Sequence, residues 1–449
     1  MTRFLLLFFL LTNIFIDSFA SVANINVTSS GAKKYILGVD NFYCAEESKM
    51  CSDFSQIYDK QIAYNMKISG SVKAVTRDDL HNFYKLQEGT TNIISEQCSK
   101  LREELKLDYF ITHNASCKGE ECEFSSYLYD IVSCQLLFKK VYKIKNTAIK
   151  KLANIISNAI YKATVGIEGC FNQKMFFIKK DRKISYNQNS RIFLSSLDGE
   201  GLQKIEDIIV SNFNLNKEAQ LLHYTIGPED IESSNGKRFK YTSIVKDLKN
   251  NSNLDLSNIF LEYKGGDIIT SSSSPDGQFI TASILTNEGS RIVLYDKNLD
   301  SFENITSENI STTVSFSPDG SSFAYQSSQD ESHAIYIYDI KSRKSKKITS
   351  NVGRYYEPAW SPNGEYIAVS KLYHGVFYLS IIEIETLREK VITSSYVINK
   401  PNWAANSHWI AFSYMTRSSP FEKIKVIDKN GREMFIFSTD NDAMNPVWF

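Results

Sequence analysis

Ser274-Pro275-Asp276-Gly277 returns as Ser317-Pro318-Asp319-Gly320 and as Ser361-Pro362-Asn363-Gly364, then decays to Ala404-Ala405-Asn406-Ser407. The steps from Ser274 to Ser317, Ser361 and Ala404 are 43, 44 and 43 residues, a period expected of propeller blades rather than of a single-core domain. Each phrase suits a type I turn: Pro presets φ, the Ser and Asp side chains bond back to the chain, and Gly accepts a positive φ. A propeller is first a rigid platform, so the repeat points to binding rather than chemistry.

The repeat runs deeper than the turn. Pro358-Ala359-Trp360-Ser361 matches Pro401-Asn402-Trp403-Ala404, and Phe316 holds the aromatic position one block earlier. These three aromatics are expected to pack between blades. Strand-like runs follow each turn, as in Phe323-Ala324-Tyr325 and Ile367-Ala368-Val369. A third strand alternates, as in Ile335-Tyr336-Ile337-Tyr338, and a fourth ends in Ile-Thr-Ser at Ile305, Ile348 and Ile392. Four short strands per period is the blade signature.

Residues 213–217 and 221–224 read as a degenerate earlier copy, swollen by a polar insertion over 227–237. The chain ends on Asn445-Pro446-Val447-Trp448-Phe449, a lone inner strand one period after Pro401. Its partners are expected from residues 174–178 and 191–196, so that both ends of the chain close a six-bladed ring and hide its edges.

Ahead of the ring, Arg3, the apolar run 4–11 and the small residues Ser18-Phe19-Ala20 read as a secretory signal, with Ser21-Val22-Ala23 as a second cleavage candidate. Asn13 and Asp17 leave the run short of spanning length. The predicted layout is a signal peptide over 1–20, a small α+β domain over 21–167 and an all-β six-bladed propeller over 168–449. Within the first domain, strands are expected near 35–39, 107–112, 124–132 and 136–141. One helix is expected through Phe54, Ile57, Tyr58, Ile62 and Met66, capped at Ser52 or Asp53, and another from Thr147 to a stop at Gly166.

The 51 basic and 51 acidic residues cancel, which argues against nucleic acid as a partner. All seven cysteines (Cys44, Cys51, Cys98, Cys117, Cys122, Cys134, Cys170) precede or open the ring. In an exported chain they predict disulfides with one thiol left over; a metal set of His113, Cys117, Cys122 and Cys134 fits no zinc spacing. No Gly-x-Ser-x-Gly elbow, phosphate-cradling loop or His-Glu-x-x-His occurs. One Asp per turn is too few ligands for calcium. His223, His333, His374 and His408 are expected at or beside strand ends. No catalytic, cofactor or metal residue is assigned.

An exported chain with this domain order and these turns resembles the TolB family, the periplasmic propellers of the bacterial Tol-Pal system. Tyr35-Ile36-Leu37-Gly38-Val39 is similar to the family's opening strand, Val165-Gly166-Ile167-Glu168-Gly169-Cys170-Phe171 to its domain connector, and Pro446-Val447-Trp448 to its ending. The resemblance implies a non-enzymatic, monomeric periplasmic scaffold without cofactors, touching membranes through partners only. It implies that the lipoprotein Pal binds at the propeller mouth, and that TolA binds the mature N-terminus in a coupled equilibrium. By position, the Pal-facing loops ahead of the inner strands would be Asp267, Thr270, Thr312, Thr313, Tyr356, Glu357, Asn399, Lys400 and Asn445. The TolA-reaching segment would be Ser21, Val22, Ala23, Asn24, Ile25, Asn26 and Val27, able to add as a strand to a partner's sheet. The family's role in outer-membrane integrity and cell division follows. The competing reading is a secreted propeller hydrolase or lyase acting in the central channel. Ser273 in an aromatic position and the lost Pro and Gly of the fourth turn depart from the family pattern.

Overall fold

The computed structural model describes residues 34–44, 49–76, 93, 95–118, 120–180, 190–206, 208–233, 236–260, 266–307, 309–330, 332–437 and 442–449. The expected signal peptide and the segment from Ser21 to Val27 lie outside these residues.

The first part of the chain is a five-stranded sheet. Its order is β2 (Val72–Val75), β1 (Tyr35–Cys44), β3 (Tyr109–Lys118), β4 (Glu121–Asp130) and β5 (Gln135–Lys145). β1 pairs parallel with β2 and β3, and the remaining pairs are antiparallel. Helices α1 (Lys49–Ser69) and α3 (Ile149–Val165) bury Tyr58, Ile62, Met66, Leu152, Ile156 and Ile160 against it. Both helices follow the 3.6-residue spacing of those side chains. Between them, the Asn154 carboxamide oxygen accepts from Gln61 at 3.0 Å and from Asn65 at 2.8 Å, so the polar groups buried at this contact are satisfied.

Several local expectations shift. α1 begins before Ser52 and Asp53, which lie inside it rather than at its cap. α3 ends as expected: Gly166 takes φ 82° and its N–H bonds the Lys162 carbonyl. Val132 falls in a turn beyond β4. Strand β2 and helix α2 (Ser95–Leu105) were not anticipated; α2 buries only Cys98 and Leu101, too few apolar positions to register as periodic. Disulfides join Cys98 to Cys134 and Cys117 to Cys122, which removes three thiolates from any metal set with His113. Instead, the buried His113 ring bonds the Ser126 hydroxyl at 3.0 Å, and burial pushes its pKa down to about 3. Cys170 is a buried free thiol.

Six four-stranded sheets form the propeller. Blade 1 is closed by both chain ends: Asp442–Trp448 pairs with Lys174–Lys180, followed by Ser190–Ser196 and Gln203–Lys204. Blade 2 runs Val210–Asn216, Leu221–Ser233, Gly236–Asp247 and Ser252–Asp255. The inner strands of blades 3 to 6 are Asp267–Ser273, Ser311–Phe316, Arg354–Trp360 and Val397–Trp403. The insertion in blade 2 is a hairpin extension. Beyond the pair Val210–Ile226 its middle strands continue as a two-stranded ribbon, with Glu229 opposite Lys240 and Glu232 opposite Lys237.

The turns repeat as the sequence predicts. Ser317 Oγ donates to Asp319 Oδ1 at 2.6 Å and accepts the Ser322 N–H at 3.1 Å, while Gly320 sits at φ 72°. Ser361 and Asn363 repeat the first bond at 2.7 Å. Trp403 is buried and its indole N–H reaches the Ala359 carbonyl of the preceding blade at 3.0 Å. His223 lies within a strand rather than at its end, buried between the hydroxyls of Ser271 and Ser273.

The sheet-and-helix part packs on the turn end of blades 6 and 1. Fully buried Trp409 meets Tyr161 and Phe171 at 5.5 and 5.2 Å between ring centroids, and Trp448 lies at 6.3 Å. Arg432 donates to Ser71 Oγ, and Asn406 to the Glu168 carbonyl. A Cβ on Gly169 would come within 2.6–2.8 Å of Asn158, so the connector needs glycine to pass the helix. The Phe171 N–H then bonds the Asn158 carboxamide at 2.9 Å. One apolar core runs through both parts.

Candidate functional site

The opposite end of the ring carries the mouth. All nine positions assigned there by sequence lie inside inner strands, not in the loops before them. They are half-buried rather than freely exposed. The reason is a bulge at one height in each blade. Tyr356 pairs with Ser370 and Ala359 with Ala368, leaving Glu357 and Pro358 against one residue; Lys400-Pro401 and Asn445-Pro446 repeat the pattern. In blade 4 the register slips between Thr312 and Val314, and in blade 3 between Ile268 and Thr270. Proline has no N–H to give a ladder, so it is tolerated on these channel-facing edge strands at a bulge.

The residue at that height takes a left-handed backbone in four blades: Thr313 at φ 39°, Glu357 at 52°, Lys400 at 50° and Asn445 at 52°. Thr270 occupies the corresponding sequence position in blade 3. These five side chains line one cavity of about 80 Å³ on the ring axis, together with Asn212 and Asn214 of blade 2. Asp267, Thr312, Tyr356 and Asn399 do not line it.

Hydrogen bonds between blades fix the row. Glu357 Oε2 accepts the Lys400 backbone N–H at 2.6 Å, and its other oxygen lies 3.5 Å from the Lys400 ammonium. Gln326 Oε1 accepts from the Thr313 hydroxyl and from the Glu357 N–H, both at 3.4 Å. Ser413 Oγ accepts the Asn445 N–H at 2.7 Å. The mouth is therefore a preset polar row with one cross-blade ion pair.

Sequence reasoning missed Glu422, which stands beside this row. Its N–H donates to Asp442 Oδ1 at 2.9 Å. Burial raises its pKa, and the carboxylates of Asp442 and Glu357 add to that; Lys180 and a hydrogen bond from Asn399 oppose them. Glu422 sits on a third strand, outside the inner-strand repeat, so no periodic signal marked it.

This geometry presents a polar, preformed surface at the mouth. The mouth has five side chains of four kinds, two hydroxyls, a carboxylate, an ammonium and a carboxamide, held by cross-blade hydrogen bonds. Among the described residues no group of three or more His, Cys, Asp or Glu could hold a metal ion.

Comparison with known proteins adds the lineage. Residues 161–449 match the family model described as the TolB beta propeller domain. The chain is 27% identical over 348 residues, covering 76% of it and 80% of the relative, to a protein of Wolbachia sp. subsp. Drosophila simulans (strain wRi) named Tol-Pal system protein TolB. The Wolbachia pipientis wMel protein of the same name matches to the same extent. In fold, the chain is similar to the crystal structure of TolB from Acinetobacter baumannii, with a TM-score of 0.75, 18% identity, and coverage of 93% of this chain and 96% of that one. With the family model spanning more than half its length, from the end of α3 through all six blades, the chain belongs to the TolB propeller family.

Proposed function

We propose that the protein is a non-enzymatic periplasmic scaffold of the Tol-Pal system. In this reading Pal docks at the mouth, on Thr270, Thr313, Glu357, Lys400 and Asn445, with Asp267, Thr312, Tyr356 and Asn399 around them. The segment from Ser21 to Val27 engages TolA, and the pair of contacts supports outer-membrane integrity and constriction during division. The observation that carries the reading is the row itself. In four blades one position keeps a left-handed backbone while its side chain changes, at the end of the ring away from the Trp409 contact. Family membership and the names of the Wolbachia relatives support the system.

The test is calorimetric titration of the mature protein, with and without residues 21–30, against the Pal domain of the same organism. Binding that weakens at least tenfold in Glu357→Ala, a loss of about 1.4 kcal/mol, supports the mouth. An altered affinity on truncation supports coupling between the N-terminus and the mouth. Absence of binding by either form removes the reading.

A further inference from the structure

The channel has a second cavity, of about 180 Å³, at its turn end, and Asn214, Ser315 and Asn402 line both cavities. That volume is several times the roughly 30 Å³ a water occupies in the liquid. Its charged residues are Lys217 and Glu218, from the degenerate turn of blade 2. The neighbouring turns open with Ser274-Pro275, Ser317-Pro318 and Ser361-Pro362, and their hydroxyls are used within the turn. Lys217 is different. It is half-buried, and among the described residues its ammonium has no hydrogen-bond or ion-pair partner.

An ammonium withdrawn from water without an anion is costly. Accordingly, burial pulls the Lys217 pKa down to about 8, with Glu218 and the Cys170 sulfur opposing the shift. Neither supplies a partner. Glu218 faces solvent, and burial pushes the Cys170 thiol up to about 11, so it is neutral. Asn402 lines the same space: its carboxamide oxygen accepts the Trp448 backbone N–H at 3.0 Å, and among the described residues its NH2 group has no hydrogen-bond partner. Trp360 and Trp403 also line that space.

We propose that the turn end of the channel is a binding site for a compact oxyanion, a carboxylate or a phosphate, held by the Lys217 ammonium and the Asn402 carboxamide against Trp360 and Trp403. The site lies at the other end of the channel from the row at Glu357 and Lys400, shares Asn402 with the mouth cavity, and does not presuppose the Pal reading.

The experiment follows the four indole N–H signals of the mature chain by NMR during titration with sodium acetate and with sodium phosphate, at ionic strength held constant with sodium chloride. Trp360 and Trp403 should shift saturably, while Trp409 and Trp448, which do not line this cavity, stay fixed. Lys217→Met should abolish the shift and Lys217→Arg should keep it. Raising the pH from 7 to 9 should weaken acetate about tenfold, as the ammonium fraction falls from about nine-tenths to one-tenth. This pH arm uses the wild-type chain and decides the matter if Lys217→Met does not fold. Saturation by acetate alone or phosphate alone names the oxyanion. No saturable shift with either, an undiminished shift in folded Lys217→Met, or pH-independent acetate binding overturns the proposal.

Discussion

The two ends of the propeller obey one period and put it to opposite uses. At the turn end of blades 3 to 5 the repeat keeps its residues: Ser, Pro, Asp or Asn, and Gly return because each satisfies a turn bond or a positive φ. At the mouth the repeat keeps its conformation and changes its residues. Thr313, Glu357, Lys400 and Asn445 share one left-handed backbone state, yet carry a hydroxyl, a carboxylate, an ammonium and a carboxamide. Where the side chain serves the fold, it is constrained. Where a bulge and cross-blade bonds already fix the backbone, it is free to vary. That contrast separates a platform from the surface it presents.

The largest effect should come from the buried contact behind the turn end. Trp409→Ala removes a fully buried ring packed on Tyr161, Phe171 and Trp448 and should cost about 3–5 kcal/mol. Denaturant unfolding would measure it; a loss under about 1 kcal/mol would mean the two parts are not joined through this core. Next comes Gly320→Val, which places a branched side chain at φ 72° and should cost about 1–3 kcal/mol. A neutral result would show that the turn residues are not held by backbone strain.

Ser317→Ala strips the hydroxyl that binds Asp319 and the Ser322 N–H and should cost about 1 kcal/mol. The same turn carries a pH signature. Ser317 and the Ser321 N–H hold the Asp319 pKa below its ordinary value, so its contribution is present above that ordinary value and lost as pH falls through the folded one. Glu422 at the mouth should do the reverse. Its folded pKa is raised, so stability falls as pH rises from the unfolded carboxylate value toward the folded one. Glu422→Gln should therefore stabilise the protein at pH 7 and lose that advantage near pH 4. Melting curves at the two pH values would check both signs.

The smallest effect on stability belongs to the mouth row. Thr313→Asn exchanges a β-branched residue at φ 39° for one that tolerates this region. It should leave stability within about 0.5 kcal/mol, as expected of a surface change, while altering partner affinity. A large loss of stability would place Thr313 with the turns, as a residue the fold demands.

Much of this was legible in the chain because blades are local. Four strands joined by short turns meet within one period, so Ser274, Ser317 and Ser361 mark their own sheets. Ring closure was legible too, since the lone strand ending in Pro446-Val447-Trp448 needs partners that residues 174–196 can give. The mouth was half legible. Position along the repeat located Glu357 and Lys400, but their placement within strands depends on bulges that no motif announces. Helix α2 and strand β2 stayed hidden because each buries too little apolar surface to show a period.

The sequence alone determined the six-bladed ring, its turn chemistry and the order of its parts, because each depends on residues close together in the chain. Tertiary structure alone decided what meets across the axis. It brought Glu357 to the Lys400 amide and Glu422 to Asp442, and set Lys217 in the channel with no ion-pair partner among the described residues. Those contacts join residues from different blades or strands, and their burial and charge exist only once the ring has closed.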